Sequence, residues 1–297
     1  MSAQRIAHWM LLVGVACLAL EWYPETWPLS DFVGDLYANA ATSLLSISAT
    51  VLLIDRANEQ RDRVQLKKRL IWEMGSSDKA LAIRAVKEMR DEGWLTDGSL
   101  RDADLTGANL ERAQLDGASL EGAIFSGSNL KWARLERADL RRAILEGATA
   151  ERVNLRNARL TGVSLRSARL PSAILEGIDG GGEIDMMGAS LIRASLRGAK
   201  LGSAQLEECD FFEADLSGAD LSGAQLLRAI VTGAILDEVN LERADLSELQ
   251  GWKEIKSLRE ARISGIRNAP EGFREWAVEQ GAIDASGRES RQTQASK

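Results

Sequence analysis

Leu100 to Leu140 reads L-RDADL-TGANL-ERAQL-DGASL-EGAIF-SGSNL-KWARL-ERADL. A large apolar residue falls on every fifth position: Leu105, Leu110, Leu115, Leu120, Phe125, Leu130, Leu135, Leu140, and on to Leu175. Two residues before it stands a small one, as at Ala103, Ala108, Ala113, Ala118, Ala123, Ala133 and Ala138. Ala, Leu, Arg and Glu favour helix by propensity, but the spacing opposes it. Five residues at about 100° each leave a net turn of about 140°, which scatters the leucines around a helix. In a flat strand a step of five alternates faces and exposes half of them. The pattern closes if each pentad forms one side of a square and the chain turns a corner after it. Leucine and the preceding alanine then both point inward, and a coil takes 20 residues with coils about 4.8 Å apart.

A second block, shifted by one residue, carries Leu191, Leu196, Leu201, Leu206, Phe211 and Leu216 on to Leu246. Its small partners are Ala189, Ala194, Ala199, Ala204, Cys209 and Ala214. With a 20-residue coil, outward residues 20 apart stack vertically. Arg101–Glu121–Arg141, Glu111–Lys131–Glu151, Glu136–Arg156–Glu176 and Glu208–Arg228–Glu248 then alternate in sign. Opposite charges across neighbouring strands contribute roughly 0.2–1 kcal/mol each. Arg112, Trp132 and Arg152 share another column, which predicts a tryptophan between two guanidinium groups. An exposed tryptophan is also a candidate partner contact.

The triplets Ala103-Asp104-Leu105, Ala108-Asn109-Leu110, Ala138-Asp139-Leu140, Ala214-Asp215-Leu216, Ala219-Asp220-Leu221 and Ala244-Asp245-Leu246 resemble the motif of the pentapeptide-repeat family. That motif is a small residue, Asp or Asn, Leu, then two free positions, and the resemblance covers about half the chain. It implies a mainly β fold, a right-handed quadrilateral β-helix. Ala150 stands where a core leucine belongs, and many Asp/Asn positions hold Arg, Ser, Gln or Ile.

Glu176 to Gly188 breaks the register and contains Gly180, Gly181 and Gly182. No Gly-Lys-Ser/Thr follows, so this is no phosphate loop. Asp179, Glu183 and Asp185 lack calcium-loop spacing. A bulge between two stacks is expected, and a partner-contacting loop is the alternative. Past Leu246 the pattern fades. Trp252, Ile255, Leu258 and Ile263 are expected over the last coil. Pro270 and Gly281 bracket a short helix with Phe273, Trp276 and Ala277, which would shield the open sheet edge. Residues 286–297 are polar and read as a disordered tail.

At the other end, Ile6 to Tyr23 is an apolar run of about 18 residues, roughly 27 Å of helix, and Leu36 to Ile54 is a second. Both suit a hydrocarbon core of roughly 30 Å. Between them, Glu21 to Asp35 holds Glu21, Glu25, Asp31 and Asp35 and no Lys or Arg. Arg5 precedes the first run, and Arg56, Arg61, Arg63, Lys67, Lys68 and Arg69 follow the second. The positive-inside rule then predicts two spans, both termini and the repeat cytoplasmic, and a short acidic external loop. A cleaved signal peptide, a lipoprotein signal at Cys17 and a buried soluble hairpin fit less well. Ala38, Thr42, Ser46 and Thr50 line one face of the second span, suited to close packing on the first helix or on a second copy. Asp55 to Met74 extends that helix. Ser77 is the expected N-cap of a further helix burying Leu81, Ala85, Val86 and Met89 and ended by Gly93, placed to cover the open end of the coils.

The organisation expected is 1–54 spans and external loop, 55–97 helical linker and N-terminal cap, 98–250 β-helix broken near 176–188, 251–285 C-terminal cap, and 286–297 tail. Across 297 residues the net charge is −7, which argues against a general nucleic-acid binder. One histidine (His8) and two separate cysteines (Cys17, Cys209) exclude His-based triads and cysteine metal sites. No catalytic residue, cofactor or metal is expected. The reading is a membrane-tethered, non-catalytic protein-interaction scaffold. It binds lipid through its N-terminal helices and an unidentified protein through the rod, with a homodimer as a further possibility. The outward pair Ile192 and Phe212, with Trp132, are the candidate contacts. The alternative is a DNA-mimicking modulator of a type II topoisomerase, which the family resemblance implies for some members.

Overall fold

The computed structural model describes residues 3–20, 30–181 and 183–285. The chain divides into two compact units, Met1–Lys68 and Arg69–Lys297.

In the first unit, α1 spans Ala3–Leu20, and α2 runs unbroken from Ser30 to Met74 into the second unit. Asp31 and Asp35, expected in the external loop, are therefore helical, while Glu21 and Glu25 lie outside the described residues. Among the described residues one helix is long and apolar enough to cross a membrane, the Asn39–Met74 part of α2, with mean hydropathy 1.3 in its most apolar window. Only 11% of that window is buried in protein. Ala41 and Ser48 are buried, whereas Thr42, Ser46 and Thr50 are exposed. The Thr50 hydroxyl donates to the Ser46 carbonyl at 2.8 Å, satisfied within its own helix.

The second unit is built on the repeat. Parallel bridges join residue n to n+20 along four ladders, starting Asp104↔Ile124, Asn109↔Asn129, Gln114↔Arg134 and Ser119↔Asp139. These ladders are faces A, B, C and D of a square coil. Along face A, the Leu105 N–H donates to the Ile124 carbonyl at 2.7 Å, and the Ile124 N–H donates to the Ala103 carbonyl at 2.9 Å. Leucines and alanines of both blocks are buried throughout.

Each corner is a four-residue turn closed by the small residue, as where the Ala108 N–H donates to the Leu105 carbonyl at 3.1 Å. The second free position of the pentad takes a positive φ, for example Gly107 at +67° and Arg112 at +63°, as a type II turn demands. This explains glycine at so many corners. The Asp/Asn of the motif works there too. Its side chain accepts the N–H two residues on: Asp104 from Thr106 at 3.0 Å, Asp210 from Phe212 at 3.0 Å, Asp245 from Ser247 at 3.0 Å. That N–H would otherwise have no partner at the bend.

The break at 176–188 is a one-residue bulge. The ladder steps by 21 at Ser164↔Asp185 and returns to 20 at Asp185↔Gln205, so one extra residue shifts the register without interrupting the coil. Gly180 occupies a core leucine slot, and Ile178 and Ile184 fill alanine slots beside it. A Cβ on Gly180 would lie 3.0 Å from Ile184 Cδ1 and 3.3 Å from Leu201 Cδ2. Ile184, with Leu201 of the next coil, fills the volume the missing leucine leaves. Ala150 is likewise buried, next to Val153 in an alanine slot.

The coils also pass Gln250, where the five-residue spacing is lost to the eye. Ile235↔Ser257, Asn240↔Arg262 and Asp245↔Arg267 step by 22, and Arg262↔Ile283 adds a last rung on face D. Two extra residues near the 3₁₀ turn Trp252–Glu254 conceal the continuation. Helix α4 (Phe273–Glu279) closes this end with Phe273 buried. Trp252, Phe273 and Trp276 pack with ring centroids 5.4–6.0 Å apart.

At the first coil, α3 (Lys79–Asp91) buries Ala82, Ala85, Val86 and Met89. Leu81, expected on that face, is half-buried. Its N-cap is Asp78 rather than Ser77. The Asp78 carboxylate accepts the Ala80 and Leu81 N–H groups at 2.8 and 3.2 Å, while Ser77 lies one residue too early. Edge N–H groups of the first coil find partners here: Asn109 donates to the Ser76 carbonyl and Ser119 to the Leu95 carbonyl, both at 2.8 Å.

Candidate interaction surfaces

Alternating leucine and alanine fill the interior. A void at the distal end is about 20 Å³ and lined by Leu, Val, Ile and Phe. That is room for about one water and far below the 300 Å³ or more of a ligand pocket. Among the described residues no group of His, Cys, Asp and Glu could hold a metal ion. Cys209 is buried and free, its thiol donating to the Met186 carbonyl at 2.9 Å. Burial pushes its pKa far up, so it is no nucleophile. What the rod offers is its outer surface.

Trp132 sits at a corner of the rod, φ +53°, and is 37% exposed. The Arg112 guanidinium stacks on it, 5.3 Å from the ring centroid. Arg152 makes no such contact among the described residues, so the expected sandwich has one side only. The left-handed backbone at all three positions directs these side chains outward, and sharing a column does not make them meet. Ile192 and Phe212 occupy successive coils at the edge of face B, both half-buried. Ile230, on the same face one coil beyond Asp210, is also half-buried; it stands in the Asp/Asn position of its pentad, so the leucine spacing does not mark it. Trp132 lies several coils away and does not join this patch.

Two predicted charge columns close at both steps and a third, Glu136–Arg156–Glu176, at its second step only. Arg101–Glu121 closes at 2.7 Å and Glu121–Arg141 at 3.3 Å. Arg156–Glu176 closes at 2.5 Å, and Arg228 reaches Glu208 at 3.8 Å and Glu248 at 2.7 Å. The Glu111–Lys131–Glu151 column does not close. Glu111 instead takes Lys79 of α3 at 2.8 Å, and the Lys79 hydrogen bond holds its carboxyl below the usual range. Sequence spacing cannot show a competitor from another element.

Residues 103–142, 138–177 and 189–226 match the family described as "Pentapeptide repeats", in eight copies. Among solved structures, full-length QnrB1, a plasmid-mediated fluoroquinolone resistance protein, is 19% identical, covering 57% of this chain and 84% of its own, TM-score 0.48. HetL, a pentapeptide-repeat protein involved in heterocyst differentiation regulation from the cyanobacterium Nostoc sp. strain PCC 7120, is 24% identical over 68% of this chain and 92% of its own, TM-score 0.29. Rfr23 from the cyanobacterium Cyanothece 51142 is 25% identical over 57% and 88%, TM-score 0.18. None of the curated proteins matches this chain. Pentapeptide-repeat proteins form right-handed quadrilateral β-helices and are generally structural or interaction proteins rather than enzymes. With its five-residue beat, its 20-residue coil and this match, the stretch 103–226 carries the repeats of the pentapeptide-repeat family.

Proposed function

We propose that the protein is a membrane-tethered, non-catalytic interaction scaffold. The single observation that carries this is a long rod with a filled interior, on a chain that also holds a long, apolar, unburied helix. On this reading α1 and the Leu36–Ile54 part of α2 are two spans. Trp9, Leu12, Val13 and Val15 of α1 and Leu53 and Ile54 of α2 are 47–67% exposed, as lipid-facing side chains would be. The basic residues from Arg56 to Arg69 keep both termini and the rod cytoplasmic. Residues 55–97 are then a linker and cap, and the coils carry the partner surface.

The partner surface is the half-buried patch of Ile192 and Phe212, widened by Ile230. Glu208, Asp210 and Glu213 flank Phe212 in sequence, which suits a partner segment that is apolar and basic. Membrane fractionation with protease mapping tests the tether. The chain is expected in the membrane pellet after alkaline wash, with its repeat digested only from the cytoplasmic side; release by the wash rejects it. Capture with the full chain, followed by the same capture with Phe212→Asp, tests the patch. Partner recovery should fall at least tenfold, and unchanged recovery removes the patch from consideration.

A second reading, a DNA-mimicking modulator of a type II topoisomerase, draws on the charge of the distal half. Glu176–Gln250 holds 5 basic and 15 acidic residues, net −10, against 12 basic and 9 acidic, net +3, in Arg101–Leu175. A change in gyrase supercoiling on adding the full chain favours it, and no change at micromolar protein rejects it.

A further inference from the structure

We propose that face D is an isologous interface between two copies of this chain, packed antiparallel about a two-fold axis that passes between the Asp179 and Lys200 rungs. The proposal stands apart from the tether, since every residue it uses lies in the second unit. Face D is the ladder Ser119, Asp139, Arg159, Asp179, Lys200, Asp220, Asn240, Arg262. Its central row alternates in sign from Asp139 to Asp220. Reversing an alternating row about a point between two rungs sets each charge against its opposite. Asp179 then meets Lys200 of the second copy, and Arg159 meets Asp220 of the second copy.

The two margins obey the same operation, although nothing in the repeat requires it. On one margin Arg137 falls opposite Glu238 of the second copy, and on the other Arg141 falls opposite Glu242. Applied to the other faces, the equivalent axis sets Glu146 against Glu207 on face A and Glu136 against Asp237 on face C, both repulsive. On face B it sets Glu151 against Phe212. Among the described residues Asp179, Lys200 and Glu238 make no ion pair within the chain and are exposed, so they are available to a second copy.

A separate observation concerns shape. Around the axis both margins are bare: Gly177 and Gly198 on one side, Gly181 and Gly202 on the other. Gly177 and Gly198 have the positive φ of the corner turn, so the fold accounts for them. Gly181 and Gly202 stand at the first corner position, without a left-handed backbone. A Cβ on Gly181 would meet nothing within 4 Å, and one on Gly202 nothing closer than Ser222 Oγ at 3.4 Å. The fold has room for side chains there, and glycine costs conformational entropy. Bare margins at the centre of a charge-matched face are what close approach of another sheet requires. Eight rungs about 4.8 Å apart and roughly 10 Å wide bury about 400 Å² per copy, below the roughly 1,000 Å² total of a stable interface, so the dimer is weak and held mainly by charge.

The test uses three versions of the full chain in a neutral detergent, measured by sedimentation velocity at tens of micromolar. The native chain should be a dimer that loosens as salt rises. Lys200→Asp sets carboxylate against carboxylate at both contacts beside the axis, and Asp179→Lys sets ammonium against ammonium there. Each variant alone should dissociate at least tenfold more readily. Mixed one to one, the two variants place carboxylates of one chain against ammonium groups of the other and should form a heterodimer. A monomeric native chain overturns the proposal, as does a dimer that both variants leave unchanged, or a mixture that stays monomeric. Circular dichroism of each variant separates dissociation from misfolding. Gly202→Arg, which blocks the axis without altering the central row, should also give a monomer, and a native-strength dimer from it likewise overturns the assignment.

Discussion

The corner is where single residues decide most. Its second free position has a positive φ, and Arg, Ser, Glu, Asn, Asp and even Trp132 accept it. The cost, about 1–2 kcal/mol for a residue with a Cβ, is borne where the side chain has somewhere to go. Thr232 lies over Gly251 of the next coil, so a Cβ on Gly251 would fall 2.9 Å from both the Cβ and the backbone nitrogen of Thr232, whereas one on Gly107 would meet nothing within 4 Å. Gly107→Ala should therefore cost about 1 kcal/mol and Gly251→Ala clearly more, about 2–3 kcal/mol. Equal urea midpoints for the two variants would refute the overlay. Ser128 shows the opposite case. It fills an alanine slot, is fully buried, and its hydroxyl has no partner. Ser128→Ala removes an unpaired polar group and should stabilise the chain by about 1 kcal/mol at unchanged denaturant slope. A lower midpoint would show that the hydroxyl is satisfied after all.

At the scale of the element, the register shift after Asp179 is a packing solution. Gly180 falls in a leucine slot, one extra residue follows it, and Ile184 with Leu201 takes the leucine's volume. Ile184→Ala alone should cost about 2–5 kcal/mol by leaving a cavity. Gly180→Leu alone should cost about 1–3 kcal/mol by overpacking. Combined, the two changes should restore much of the loss, because the leucine returns to the space the isoleucine vacates. Strict additivity in the double-mutant cycle would mean the sites do not share a volume. The two ends of the rod are elements of another kind. The N-terminal end is met by Ser76 and Leu95 carbonyls and by α3, the distal end by the Trp252–Phe273–Trp276 cluster, and both shield sheet edges that would otherwise pair with other chains.

For the molecule as a whole, acid is the informative perturbation. Hydrogen bonds from the Arg259 guanidinium, then from the Ser257 hydroxyl and the Arg259 N–H, hold the Asp237 carboxyl down to about 2, against partial burial that opposes them. Asp104 is lowered by Thr106, Asp139 first by Arg141, and Asp245 first by Ser247. A carboxyl whose pKa is lowered by folding contributes stability above its unfolded value, near 4, and that contribution is lost as pH falls through the folded value. The rod should lose stability between about pH 4 and pH 2. Asp237→Asn should be less stable than the native chain at pH 7 and lose less of its stability over that window. Parallel stability curves for the two proteins would exclude Asp237 as a contributor.

The sequence alone settled the coil. A five-residue beat is incompatible with a helix face or a flat strand, and vertical neighbours 20 apart follow from counting, which is why two of four charge columns close fully and a third in part. It also marked the apolar run of α2 and the last helix, because composition and caps are local. The tertiary structure alone decided what depends on competition in space. Lys79 takes Glu111 from its column, Asp78 and not Ser77 caps α3, and Arg152 leaves Trp132 to Arg112. Coils continue past Gln250 because hydrogen-bonded ladders tolerate inserted residues that a period count does not. The pairing of charges across face D likewise exists only once the four sides of the square are assigned. Spacing along a chain fixes which residues are neighbours, whereas the choice among several available neighbours is made by distances in the folded molecule.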